Sequence, residues 1–523
     1  MSPRATQAVC LTVLLATYVT TSLIWWVSTP LGQAPDEFGH ADYTTFILEH
    51  GRLPNMERDR ISQVMTDVRW FTARENRYRP SSQSPRHSEY EQLFRDKALD
   101  WFQPSPFPFY GAGHAPLHYL MASLAMMPFR DSLGPLERWQ VCRLFSFLAG
   151  ASTVLAGYYV GRRVWPRARR IGGMALAVWM MAVPMAQYMR ITAANDSLAM
   201  ACSAWLSALF IVWDKATPGR SLLLGLLLAA GCLSKASVFP FVVVAGLWVL
   251  ARSHGWRVLV LCGLLVFGPP VAGLTAHFFY STMHGGWHYF SMNPVFFRMV
   301  RHLEGDCLHP VLEKLGTWRL FFHGYGNMSE IRSPGDIWWI LLVLPPLVSL
   351  WTRPLSSRYL QRAVVVIGAV LFVFAAGIVR EILSVQRTGF TGRHFLVLQM
   401  PIGLLLMRGW SCLLSVLFGH TQVKPKAELS AACLLAAAVL LINRHDLLLV
   451  VQKTYYGSSM KVWLPRDLMF DWVCGNLPDP LKIPHLWYAV FLGATVLTYG
   501  LVVFFAMTAF RALAPSQWRR FIR

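Results

Sequence analysis

The sequence predicts an all-α polytopic membrane protein of about twelve transmembrane helices, with a large outer first loop that carries juxtamembrane helices. Three observations predict it. Hydrophobic residues make up 54% of the 523 positions, with 21 Trp and 32 Phe among them. Apolar runs of roughly 17–25 residues recur along the chain, the length that crosses a bilayer as a helix. The 48 Lys and Arg, set against 27 Asp and Glu, gather in short loops between those runs, as positive residues do on the cytoplasmic side. The net positive charge therefore belongs to topology and to anionic lipid head groups. No nucleic-acid module is visible, and nucleic acid is excluded as a partner.

The spans fall at about 7–28, 139–161, 171–189, 197–213, 219–234, 237–252, 257–281, 336–352, 362–379, 394–418, 428–443 and 487–511. The first apolar run, from about Ala8 to Val27, is too long for a signal-peptide core and has no small-residue cleavage site after it, so it is expected to be retained. The apolar segment 114–129 decides the topology. The loop Arg162–Arg170 is the most basic short loop in the chain. It falls on the cytoplasmic side only if 114–129 lies along the outer surface as an interfacial or re-entrant helix. Both termini are then cytoplasmic, as are the loops carrying Lys215, Arg220, Arg252, Arg257, Lys424 and Lys426. Facing outward are a large loop at 29–138, a short turn at Asn195 and Asp196, and later segments near 282–335, 380–393 and 444–486. The stretch 76–88, rich in Ser, Pro and Arg, reads as a surface loop. The nine cysteines form no CxxC motif, so neither zinc nor redox chemistry is indicated. Cys307 and Cys474 lie in long polar segments, where a disulfide is open.

Chemistry is expected where carboxylates sit at the membrane surface, a costly place for charge. Asp36, Glu37 and His40 open a helical stretch that runs to about His50 and is closed by Gly51 and Pro54. Asp36 and His40, four residues apart, share a face. The two acids either stabilise the positive end of the helix or perform acid–base work. Asp196, at the start of the fourth span, is either part of an N-cap or a second acid on the same outer face. Two such carboxylates can divide the labour: one deprotonates an acceptor hydroxyl while the other orients the acceptor or a metal. Lys235, at the outer edge of a span, either snorkels or meets a lipid phosphate. Arg387 and Arg393 flank Gly389 and Gly392 at another outer span start; they either anchor the interface or bind phosphate through the guanidinium fork.

Several ordered features resemble the GT-C superfamily of membrane glycosyltransferases, within it the dolichyl-phosphate-mannose-protein mannosyltransferase-like group that includes the aminoarabinose lipid A transferases. Pro35-Asp36-Glu37, His40 and Glu49–Pro54 resemble that family's first outer loop. His114-Ala115-Pro116-Leu117-His118-Tyr119 resembles its juxtamembrane segment, and Arg143–Ser146 with Gly161–Pro166 its second span and basic turn. Asn195-Asp196 matches the second acidic site, Leu233-Ser234-Lys235 the threonine–lysine element, and Gly392-Arg393-His394 a glycine–arginine–tyrosine element. Serine and histidine replace the family's threonine and tyrosine in the last two. The likeness covers about 1–281 well, is patchy near 380–407 and weak elsewhere. It divides the chain into a catalytic transmembrane module, 1–281 with outer loop 29–138, and a variable module, 282–523 with outer loops 282–335 and 444–486.

The resemblance implies a glycosyltransferase of the bacterial inner membrane working on its periplasmic face. A sugar would pass, with inversion, from a polyprenyl-phosphate donor to an acceptor hydroxyl. Asp36 would be the general base, and Glu37 and Asp196 further catalytic carboxylates. Lys235, Arg393 and Arg387 would hold the donor phosphate. His40, His114, His118, Tyr119, Arg190 and Asn195 would serve the acceptor or the structure. The expectation leans towards no cofactor, with a divalent metal on Asp36, His40 and Asp196 as the alternative. The acceptor is a glycan, lipid or protein. Two rival classes remain: an O-antigen polymerase- or ligase-like enzyme using the Arg and His residues of 282–335, and a transporter or flippase.

Overall fold

The computed structural model describes residues 2–29, 31, 36–55, 58–63, 104–283, 358–385, 392–417, four positions between 434 and 440, and 483–513. The candidate spans at 336–352 and, for the most part, 428–443 lie outside these residues. So do the stretch 76–88, the loops 282–335 and 444–486, and Cys307 and Cys474.

The chain opens with helix α1 (Pro3–Ser28), whose Ser2 side chain accepts from the Ala5 amide as an N-cap. Helix α2 (Glu37–His50) follows, stopped by Gly51 in the left-handed region at φ 63°. Glycine meets no Cβ penalty there. Strands β1 (Arg60–Ser62) and β2 (Pro104–Pro108) then form a two-stranded antiparallel sheet with Arg60 opposite Pro108 and Ser62 opposite Pro104. This ribbon departs from the all-α expectation. Prolines at 104, 106 and 108 rule out helix and leave β2 only alternate donors, which suits it to a short edge pairing.

Helix α3 (Leu117–Met126) has ten residues and runs into a 3₁₀ turn at Met127–Phe129. At 1.5 Å per residue α3 is about 15 Å long, half a hydrocarbon core. Helices α4 (Pro135–Val164) and α5 (Arg169–Ala182) pack closely, and Gly161 sits directly on the backbone of Gly172, where no side chain fits. The expected single span over 171–189 is in fact two helices. Pro184 cannot donate to the preceding turn, so α5 ends at Ala182 and α6 (Pro184–Arg190) begins afresh.

Helices α7 (Asp196–Val212), α8 (Pro218–Cys232) and α9 (Pro240–Arg252) are apolar but short, and α10 (Trp256–Met283) packs back on α8. After residue 357 come α11 (Arg358–Val385), a 3₁₀ helix at Gly392–Leu398, α12 (Gln399–Leu417) and α13 (Pro484–Leu513). The expected span at 394–418 thus begins in 3₁₀ form. Helix α13 lies on α1, α12 on α5 and α11 on α9. Leu14, Met174, Leu404 and Phe505 accordingly share one buried cluster.

Among the described residues five helices are long and apolar enough to cross a membrane: α1, α4, α10, α11 and α13. Large apolar side chains cover their outward faces, Leu264 and Val271 on α10 and Phe372 on α11 among them. Such a surface suits lipid. Among the described residues, the expected spans at 197–213, 219–234 and 237–252 are matched by helices shorter than that.

Candidate functional site

Four chain segments meet at the end of the bundle where α2 begins. The Leu117 amide donates to the Leu233 carbonyl at 2.9 Å, joining the start of α3 to the end of α8. Asn195 Nδ2 donates to the Ser234 carbonyl at 3.0 Å, and Asp196 Oδ1 lies 2.6 Å from Lys235 Nζ. His40 Nδ1 is 2.7 Å from the Tyr119 hydroxyl, and the His40 and His114 rings are 5.3 Å apart. Residues 36–40, 114–119, 195–196 and 233–235, far apart in the chain, thus form one polar cluster.

Asp36 is the residue before α2, and its backbone is left-handed at φ 60°, ψ 9°. Among the described residues it is the one non-glycine with positive φ. That conformation costs about 1–2 kcal/mol for a residue with a Cβ, although Asp tolerates it better than most. Its side chain makes no capping hydrogen bond to α2, so helix capping does not account for it. Its carbonyl accepts from the His40 amide at 3.1 Å, and the residue is half-buried.

Glu37, one residue on, points elsewhere. Its carboxylate takes Arg143 Nε at 2.7 Å on one oxygen and Arg143 Nη2 at 2.9 Å on the other. It also accepts from the Ala193 amide at 3.0 Å. Arg143 Nη1 donates in turn to the Thr29 carbonyl at 2.7 Å. Glu37 is 0% exposed and Arg143 1%. Glu37, expected as a catalytic carboxylate, is closed to solvent here, and its charge fastens α2 to α4 and to the turn before α7. Residues 143 and 193 are the partners that the local sequence does not reveal. An arginine inside an otherwise apolar run was the available signal.

His40 and His118 are uncharged. Burial holds His40 well below the ordinary imidazole range, with His114 and Lys235 adding to the effect and Asp196 opposing it. Burial takes His118 down to about 3. Neutral imidazoles donate or accept hydrogen bonds without adding charge. Tyr119 stacks on Tyr43 at 4.1 Å and so holds its hydroxyl against His40.

Arg190 lies deeper, fully buried, with Nη2 donating to Gln399 Oε1 at 3.0 Å while Gln399 donates to the Met180 carbonyl at 2.8 Å. It braces α6 against α12. Asp42, absent from the sequence expectation, is buried on α2, accepts from the Ser62 amide at 3.0 Å and is pushed up to about 7 by burial. An acid inside the expected helix was the only sign of it. Arg387 lies outside the described residues, as does the side chain of Arg393. The 3₁₀ helix that carries Arg393 packs against the turn at Ala236–Val238, next to Lys235. Among the described residues no group of three or more His, Cys, Asp or Glu converges as a metal-binding set.

Residues 20–290 match a family model described as "Predicted membrane protein (DUF2142)". Among solved structures the chain is similar to ArnT from Cupriavidus metallidurans in the apo state, at 15% identity and TM-score 0.43, covering 95% of this chain and 76% of that one. It is similar at 15% identity and TM-score 0.41 to the same protein bound to undecaprenyl phosphate, covering 95% and 77%. It is also similar to the archaeal oligosaccharyltransferase AglB from Archaeoglobus fulgidus in complex with an inhibitory peptide and a dolichol-phosphate, at 13% identity and TM-score 0.38, covering 91% of this chain and 59% of that one. No curated protein matches the sequence.

Proposed function

The chain belongs to the DUF2142 family of predicted membrane proteins, and we propose that it is a membrane glycosyltransferase that moves a sugar from a polyprenyl-phosphate donor to an acceptor hydroxyl. The observation that carries this reading is the convergence of His40, one helical turn on from Asp36, with the 114–119 segment and the Asp196–Lys235 pair. A half-buried carboxylate at the start of α2, one turn before neutral His40, and a cation that acts on that histidine are the groups a single displacement would use.

In the proposed step the acceptor oxygen attacks the anomeric carbon from the face opposite the phosphate. The new carbon–oxygen bond forms as the carbon–phosphate-oxygen bond breaks, so the stereochemistry inverts. The acceptor proton passes to Asp36. The departing polyprenyl phosphate keeps the electron pair, and Lys235 balances its growing charge. Asp196 holds Lys235 in place, and Arg393 and Arg387 would add to the phosphate site. Neutral His40 and His118, with His114 and Tyr119, offer hydrogen bonds to sugar or acceptor hydroxyls. Phosphate leaves readily, so one well-placed base suffices. No metal is needed for these steps, and chelation is expected to leave turnover unchanged. The site faces the periplasm, with both termini in the cytoplasm, because the basic loops gather at the other end.

Release of free polyprenyl phosphate by purified protein, offered a panel of polyprenyl-phosphate sugars with crude membrane acceptors, tests the proposal. Asp36→Asn should lower release by about 10²–10⁴-fold while the thermal melt stays near that of wild type. Equal release by both proteins would remove Asp36 from the chemistry.

A further inference from the structure

A second polar cluster lies at the other end of α7 from Asp196. That helix has 17 residues, which sets the two clusters about 25 Å apart. Just beyond its end, Asp214 Oδ1 meets Arg362 Nη2 at 2.5 Å and its Oδ2 meets Arg358 Nη1 at 3.3 Å, both from the first two turns of α11. Arg362 Nη1 also donates to the Ile211 carbonyl at 2.7 Å. Among the described residues Arg362 Nε has no hydrogen-bond partner. Arg252, the last residue of α9, stands beside them. Three guanidinium groups against one carboxylate leave two positive charges.

These groups stand at the mouth of a cavity of about 650 Å³. Its wall is apolar. Helix α9 contributes Val244, Leu247, Trp248 and Ala251, the spacing of one helix face, and α11 contributes Val365 and Val366. Leu247 is 44% exposed and Val365 51% exposed, although both line a groove. The flanking loops are basic as well, with Lys215 and Arg220 on one side and Arg257 on another.

We propose that this groove binds an anionic phospholipid of the cytoplasmic leaflet, its phosphate between Arg252 and Arg358 and an acyl chain along the wall between α9 and α11. A free anion would answer the charge and leave the apolar wall uncovered. A zwitterionic lipid would cover the wall and leave the two positive charges unmatched. An amphiphile with net negative charge answers both, and the leaflet that meets the basic loops is the one rich in anionic head groups. Arg362 is engaged with Asp214 and Ile211. The more accessible Arg358, 58% exposed, and Arg252 are therefore the groups that meet the phosphate.

Native mass spectrometry of the full-length protein in detergent tests this with three probes: phosphatidylglycerol, phosphatidylcholine and inorganic phosphate. Phosphatidylglycerol should bind wild type at least about tenfold more tightly than phosphatidylcholine does, and Arg252→Gln with Arg358→Gln should remove most of that margin. Leu247→Trp, which fills the groove from its exposed side and leaves every charge in place, should weaken phosphatidylglycerol binding by a similar factor. Equal phosphatidylglycerol binding by wild type and the double arginine variant would overturn the proposal. Complete displacement of phosphatidylglycerol by millimolar inorganic phosphate, with no effect of Leu247→Trp, would overturn it in favour of a free-phosphate site. Because the arginine and leucine variants perturb different features, a folding defect in one leaves the other decisive.

Discussion

Glu37–Arg143 and Asp196–Lys235 both tie distant parts of the chain together by opposite charge at the same end of the bundle, yet they are built to different standards. In the first pair both residues are closed to water and the carboxylate accepts from two guanidinium nitrogens and a backbone amide. In the second the lysine is 12% exposed and the acid 4%, and neutral histidines stand close by. Arginine's fixed fork locks a partner, whereas an ammonium is a compact point charge that can share itself with an arriving anion. The difference separates a fastening from a site. Charge alone does not mark function; access and exchangeability do.

Breaking the fastening should produce the larger effect on stability. Glu37→Gln leaves Arg143 charged, buried and poorly matched, and should cost about 3–5 kcal/mol, read as a clear fall in melting temperature in detergent. Arg143→Lys should not restore it, because one ammonium cannot replace the fork. An unchanged melt would show that the pair contributes little and would dissolve the contrast.

The open pair should respond the other way. Asp196→Asn should lower turnover over KM for the donor by at least about tenfold and move the melt far less than Glu37→Gln. Lys235→Arg keeps the charge and should raise donor KM with little change in melting. If Asp196→Asn instead unfolds the protein while sparing turnover, the two pairs have the same role.

A subtler effect concerns Asp42, also on α2. Its carboxyl is pushed up to about 7 in the folded protein from an unfolded value near the ordinary one, about 3.9. The folded state therefore holds a proton that the unfolded state has lost across that window. Stability from this group is fully present below about pH 4 and declines as pH rises through about 7. Asp42→Asn preserves an acceptor for the Ser62 amide and removes the titration. Melting should be equal at pH 4 and favour the variant at pH 8. A variant less stable at pH 8 would contradict the buried-acid account.

The smallest expected signal is an absence. Burial keeps His40 and His118 neutral, so the pH–rate profile should show no imidazole inflection between about pH 5 and 8. The profile of His40→Gln should keep the wild-type shape at a lower height. A limb near pH 6.5 that disappears in His40→Gln would show the ring titrating in the working enzyme.

Much of the architecture was legible because apolar run length and the placement of Lys and Arg are local signals. The first span, the helix from Glu37 to His50 with its glycine stop, and the short surface segment before Phe129 could all be read residue by residue. The break at Pro184 was visible too, had proline's missing donor been weighed against the apolar run around it. The β1–β2 ribbon was harder, because three residues of β1 meet a proline-rich partner more than forty positions away.

The site divides along the same line. The sequence by itself determined that Asp36 and Glu37 stand together at a helix start and that acids and a lysine occur at span ends. It could not distinguish the two adjacent carboxylates, since both obey the same helix-terminus preference. Only the tertiary structure decided that Glu37 turns inward to Arg143, 106 residues away, and that Asp36 adopts the left-handed backbone and stays half-buried. The physical reason is that an ion pair's worth depends on what surrounds it, and that surrounding is made by helices whose meeting no local pattern records.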